Sequence, residues 1–118
     1  MDVMKQILIY GDSLSWGIVP LTPRRLPFEQ RWPGGLEWSL NARGHDVRVI
    51  EDCLNGRRTA WEDPYKPGRT GIHGLAQRIE ACSPLTWVVL MLGTNDFQSM
   101  HPHGAWHAAQ GIAALIQT

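Results

Sequence analysis

The sequence predicts a single α/β domain in which helices cover a parallel sheet. Three observations predict it. Three short apolar runs, each ending at a glycine-bearing turn, alternate with three stretches whose apolar residues recur at helical spacing. Proline- and glycine-rich segments punctuate that alternation. A length of 118 residues, 43% apolar and 19% charged, holds one ordinary core. Strands and helices in this order form a parallel sheet with right-handed crossovers.

The elements follow in order. Gln6 to Tyr10 is a continuous apolar run that stops at Gly11-Asp12-Ser13, as a strand buried on both faces does when it ends in a tight turn. Val19 to Pro33 carries Pro20, Pro23, Pro27 and Pro33 and is expected to be an irregular loop. Leu36, Trp38 and Leu40 then predict a short helix from Gly35 to Arg43, with Gly44 as its stop. Asp46 to Glu51 alternates Val47, Val49 and Ile50 with charge and predicts a second strand, which leads to the turn Asn55-Gly56. Trp61 to Gly74 is a second long loop. Leu75, Ala76 and Ile79 predict a helix that ends at Ser83-Pro84. Leu85 to Leu92 has the strongest apolar run and is expected to be the best-buried strand. His107 to Ile116 closes the sequence as a helix.

Charge and cysteine content narrow the partners. Eleven Lys and Arg balance eleven Asp and Glu, so the chain lacks the basic field that attracts nucleic acid or anionic lipid. The first eleven residues hold only the short run Ile7-Leu8-Ile9-Tyr10, far below a signal-peptide core or the about 20 residues of a membrane span. A cytoplasmic protein is expected. Cys53 and Cys82 show no zinc-type pairing and are read as reduced thiols, with a single bridge between them left open.

Three turns carry the chemistry: Gly11-Asp12-Ser13-Leu14-Ser15, Asn55-Gly56-Arg57 and Gly93-Thr94-Asn95-Asp96. Each follows the carboxyl end of a predicted strand, the edge where open parallel sheets bind ligands, and in a sheet of order 2-1-3 the first and third become neighbours. A serine there offers a hydroxyl nucleophile. Its own N–H, the glycine N–H and the asparagine amide can hold the oxyanion that forms on attack. Ser13 could otherwise cap a helix, Asn95 could be a turn residue, and Gly56 could be the glycine of an Asn-Gly turn. Asp12 is expected to stiffen its turn rather than act as an acid of the reaction.

These blocks resemble those of the GDSL, or SGNH, hydrolase family, named for a serine, a glycine, an asparagine and a histidine. Trp16, Pro20 and Arg31-Trp32-Pro33-Gly34 are similar to its arylesterase and acyltransferase branch. The resemblance implies a flavodoxin-like three-layer α/β/α sandwich of about five strands in the order 2-1-3-4-5, of which three are visible here in the order 2-1-3. It implies Ser13, Gly56 and Asn95 as the catalytic residues. The family's Asp-x-x-His block has no counterpart, since no aspartate here has a histidine three residues on. Residues 1–118 are therefore expected to form the N-terminal part of one hydrolase domain, with the later strands and that block absent.

The expectation is a serine ester hydrolase or acyltransferase that acts on small, short-chain acyl esters through an acyl-enzyme, without cofactor or metal. Two alternatives stand beside it: a flavodoxin-like module that binds phosphate or flavin, and an inactive fragment of the hydrolase. Trp16 is expected to line the substrate pocket, with Trp32 and Trp61 either joining it or packing as ordinary aromatics. His101, His103 and His107 are read as a polar approach to the last helix, with a stand-in base as the alternative. Arg57 and Arg58 are expected to pair with Glu51, Asp52 or Asp63. An unpaired third strand predicts a homo-oligomer or association with the missing carboxyl-terminal segment.

Overall fold

The computed structural model describes residues 4–98 and 102–118. The central strand β1 (Lys5–Gly11) pairs in parallel with β2 (Val47–Cys53) on one side and with β3 (Trp87–Met91) on the other. The order β2-β1-β3 is the predicted one, and the sheet with its helices is an α/β fold. Register runs from Lys5 opposite Val47 to Gly11 opposite Cys53, and from Ile7 opposite Trp87 to Gly11 opposite Met91. All three strands thus stop level with one another, and their following loops share one edge.

Side chains of a strand alternate between faces, and β1 serves a different layer with each. Ile7 and Ile9 join Val47 and Val49 beneath helix α2 (Trp32–Ala42), whose Trp32, Leu36 and Leu40 repeat every four residues and form one stripe. On the opposite face Tyr10 packs with Leu75 of α3 (Leu75–Cys82) and Leu115 of α4 (Ala105–Ile116). Leu8 and Ile9 are wholly buried, each worth about 1.5 to 3 kcal/mol of burial. Among the described residues, no helix is long and apolar enough to cross a membrane.

Two expectations are corrected. Helix α2 begins at Trp32 rather than Gly35, with Pro33 inside its first turn, where the missing proline N–H has no helical partner to lose. Gly34 must lack a side chain, since a Cβ there would lie 1.8 Å from the Phe28 carbonyl oxygen. Strand β3 is the least buried of the three, not the best. Trp87 is 64% exposed and Met91 43%, because β3 pairs with β1 alone and helices cover its flanks incompletely. The remaining element boundaries move by two residues or fewer. Cys53 and Cys82 are both free thiols. Burial pushes the Cys53 thiol up to about 11, which keeps it protonated at neutral pH.

Candidate active site

Ser13 is the first residue of α1 (Ser13–Trp16), the single helical turn that follows β1. Asp12, not Ser13, is the N-cap: its carboxylate accepts the Leu14 N–H at 3.0 Å. The capping alternative is thereby taken by the neighbour, as expected for Asp12, and no side-chain hydrogen bond engages Ser13 Oγ among the described residues. Asp12 is buried. Burial raises its carboxyl above the usual range, against the opposing pull of the N–H groups of Leu14 and Asp12 itself and of the Arg57 charge.

Gly56 lies in the turn after β2, with Leu54 accepting the Arg57 N–H at 3.1 Å. Its φ of +78° belongs to the left-handed region, so glycine is required there on conformational grounds alone. Asn95 occupies a 3-10 turn, Thr94–Phe97, after β3. Its amide Nδ2 donates to the Arg57 carbonyl at 3.1 Å and approaches Asp12 Oδ2 at 3.5 Å. One asparagine amide therefore touches the residue after Gly56 and the residue before Ser13. The Gly11 carbonyl adds a second tie, accepting the Leu54 N–H at 3.0 Å and Arg57 Nη1 at 3.3 Å. The turns that carry Ser13, Gly56 and Asn95 all lie at the carboxyl edge of the sheet, and the Asn95 amide links the other two.

Several supporting residues were not singled out from the sequence. Ser15 is fully buried; its hydroxyl accepts Trp32 Nε1 at 3.0 Å and contacts Met91 Sδ at 3.4 Å, which pins α1 between α2 and β3. Asp96 is also fully buried, and its carboxylate takes the Thr59 hydroxyl at 2.6 Å and the Thr59 N–H at 3.2 Å. Arg58 Nε lies 3.7 Å from the same carboxylate, while Arg58 Nη1 donates to the Glu62 carbonyl at 2.6 Å. A carboxylate inside an otherwise neutral asparagine block was the one available signal. Arg57 pairs with Asp52 as expected, at 2.9 Å. Among the described residues Arg58 takes none of the three partners expected for it and pairs instead with Asp96.

The aromatic and histidine expectations resolve individually. Trp16, the last residue of α1, is half-buried with the Arg25 guanidinium 5.0 Å from its ring centroid. Trp32 packs into the sheet face. Trp61 donates from Nε1 to the His107 carbonyl at 2.7 Å and lies against the His103 and His107 rings. His107 Nδ1 accepts the Gly104 N–H at 3.0 Å and caps α4, the structural role expected of it. His103 contacts Arg58 Nη2 through its Nδ1. His101 lies outside the described residues. Among the described residues, no group of three His, Cys, Asp or Glu is arranged to hold a metal.

Comparison with protein-family models and with curated proteins gives no match. Among solved structures, the native M. smegmatis aryl esterase matches 96% of this chain and 53% of its own at 37% identity and a TM-score of 0.90. Est24, a carbohydrate acetylesterase from Sinorhizobium meliloti, matches 96% of this chain and 53% of its own at 33% identity and a TM-score of 0.89. AlinE4, an SGNH-hydrolase family esterase, shares the fold over 99% of this chain and 53% of its own, at 21% identity and a TM-score of 0.72. The chain thus spans about half the length of the structures it matches. The chain is similar in sequence and structure to aryl esterases and carbohydrate acetylesterases, and it shares its fold with an SGNH-hydrolase family esterase.

Proposed function

We propose that this chain carries the nucleophile and the oxyanion-binding group of a serine ester hydrolase. Ser13 Oγ attacks the acyl carbonyl to form an acyl-enzyme, and water or another alcohol then takes the acyl group. The N–H groups of Ser13 and Gly56 and the Asn95 amide receive the negative charge that develops on the carbonyl oxygen. The general base is a histidine from outside these residues, in the manner of the family's Asp-x-x-His block. The substrate is a small acyl ester, and no cofactor takes part.

The observation that carries this reading is the Asn95 amide, which reaches both Arg57 beside Gly56 and Asp12 beside Ser13. A helix of four residues is a poor phosphate anchor, since few aligned peptide dipoles stand behind its N-terminus. That weighs against the phosphate- or flavin-binding alternative. The test uses the complete enzyme with an aryl phosphonate and an aryl acetate. Covalent mass on Ser13 is expected, lost in Ser13→Ala. Asn95→Ala should lower kcat by about 10² to 10³ with KM nearly unchanged. Saturable binding of phosphate or flavin, with no adduct and no turnover, would reject the proposal.

A further inference from the structure

Every loop of the candidate site meets one residue whose side chain the proposed chemistry does not use. Arg57 follows Gly56 directly, is 8% exposed, and turns back from its loop toward the sheet. Nη1 donates to the Asp52 carbonyl at 2.6 Å and to the Gly11 carbonyl at 3.3 Å. Nη2 donates to Asp52 Oδ1 at 2.9 Å. The guanidinium lies 4.0 Å from the Tyr10 ring centroid, a cation–π contact that fixes its plane. On the main chain, the Arg57 N–H goes to the Leu54 carbonyl and the Arg57 carbonyl receives Asn95 Nδ2. One residue thus bonds to the end of β1, the end of β2 and the turn after β3.

We propose that Arg57 is the positioning residue of the oxyanion-binding group: its guanidinium holds the Gly56 turn against the Ser13 turn, while its carbonyl sets the rotamer of Asn95. This rests on the ester-hydrolase reading above and deepens it. Asn95 Nδ2 carries two hydrogens. The Arg57 carbonyl takes one at 3.1 Å, and among the described residues the second meets Asp12 Oδ2 at 3.5 Å, too long for a strong bond. That second hydrogen is the one available to a developing oxyanion. The Arg57 carbonyl therefore decides where it points. The guanidinium decides where that carbonyl sits, because two of its nitrogens end on backbone and side-chain oxygens at the ends of two strands. The Asp52 carboxylate is itself preset, its other oxygen accepting Arg78 Nε at 2.6 Å.

A lysine at this position would keep the charge and the reach to Asp52 but lose the planar fork that grips two strand ends at once. The experiment compares Arg57→Lys and Arg57→Met with wild type in the complete enzyme, at a temperature well below each variant's unfolding midpoint. Aryl acetate turnover and the rate of Ser13 phosphonylation are both measured, since the phosphonyl oxygen occupies the same hole. Arg57→Lys should lose about 10-fold or more in kcat and in phosphonylation rate, with KM within about 3-fold and near-native thermal stability. Arg57→Met should lose more on both rates. Wild-type kcat in Arg57→Lys overturns the proposal, as does a rise in KM at constant kcat. Absence of any Ser13 adduct in wild type instead rejects the ester-hydrolase reading, so the two failures are distinct. If Arg57→Met does not fold, the lysine variant decides alone.

Discussion

Asp52 shows how a single carboxylate couples the site to pH. Burial acts to raise its pKa, but the hydrogen bonds and charges of Arg57 and Arg78 outweigh it and lower the group below its ordinary value of 3.8. A lowered folded-state pKa contributes stability that is fully present above the unfolded value and lost as pH falls through the folded one. Asp52→Asn should therefore destabilise the protein at neutral pH and flatten the acid side of its stability curve below about pH 4. Thermal midpoints from pH 7 to pH 2 test this; an unchanged slope would show that Asp52 does not stabilise the fold through its charge. The Asp52 partnership with Arg57 was legible in the sequence, because an arginine five residues past an acidic strand end has few other carboxylates in reach. The Arg58–Asp96 pair was not. Its members stand 38 positions apart with no period to join them, and only the close approach of two loops brings them together.

At the scale of elements, α4 is held to the site by the absence of a side chain. A Cβ at Gly111 would lie 1.8 Å from Thr59 Oγ1 and 2.5 Å from Thr59 Cβ, so the helix can approach the loop after β2 only with glycine at the contact. Thr59 in turn bonds both oxygens of Asp96, the residue after Asn95. Gly111→Ala gains about 1 kcal/mol of helix propensity at most. It must also push back a fully buried threonine, and overpacking of that kind costs about 1 to 3 kcal/mol. A lower urea midpoint is expected; a higher one would mean that the contact yields freely. The elements themselves were readable because their signals are local: the stripe Trp32, Leu36 and Leu40 gives a helix, and the runs before Gly11, Asn55-Gly56 and Gly93 give strands. The start of α2 was misread because proline marks loops in general yet is welcome in a first helical turn. Burial of β3 was misread for another reason. An apolar run reports what its side chains prefer, whereas exposure depends on how many strands and helices stand beside it.

At the scale of the whole molecule, the segment that joins α1 to α2 bears on the proposed substrate. Residues 17–31 fold back on the α1 turn: the Leu26 N–H reaches the Gly17 carbonyl at 2.8 Å, Ile18 and Arg25 form a β-bridge, and Arg25 lies over Trp16. The first residues of the segment also bond the Ser13 carbonyl, through the N–H groups of Gly17 at 3.1 Å and Ile18 at 3.4 Å. On the ester-hydrolase reading, kcat/KM for nitrophenyl esters should fall from acetate to octanoate to palmitate. A higher value for palmitate would sink the idea. The order of the sheet and the shared edge of its three loops were foreseeable from the alternation of strands and helices, since topology follows from few rules. The cross-links between those loops were not, because they depend on main-chain carbonyls whose direction no residue type encodes. One of them has a dynamic meaning. The Gly11 carbonyl has two lone pairs and both are occupied, one by the Leu54 N–H and one by Arg57. Opening the loop after β2 therefore strips the terminal carbonyl of β1 and, through the Arg57 carbonyl, frees the Asn95 amide in the same event. These shared hydrogen bonds tie the three loops together, so the expectation is that they open as one unit of local unfolding rather than singly.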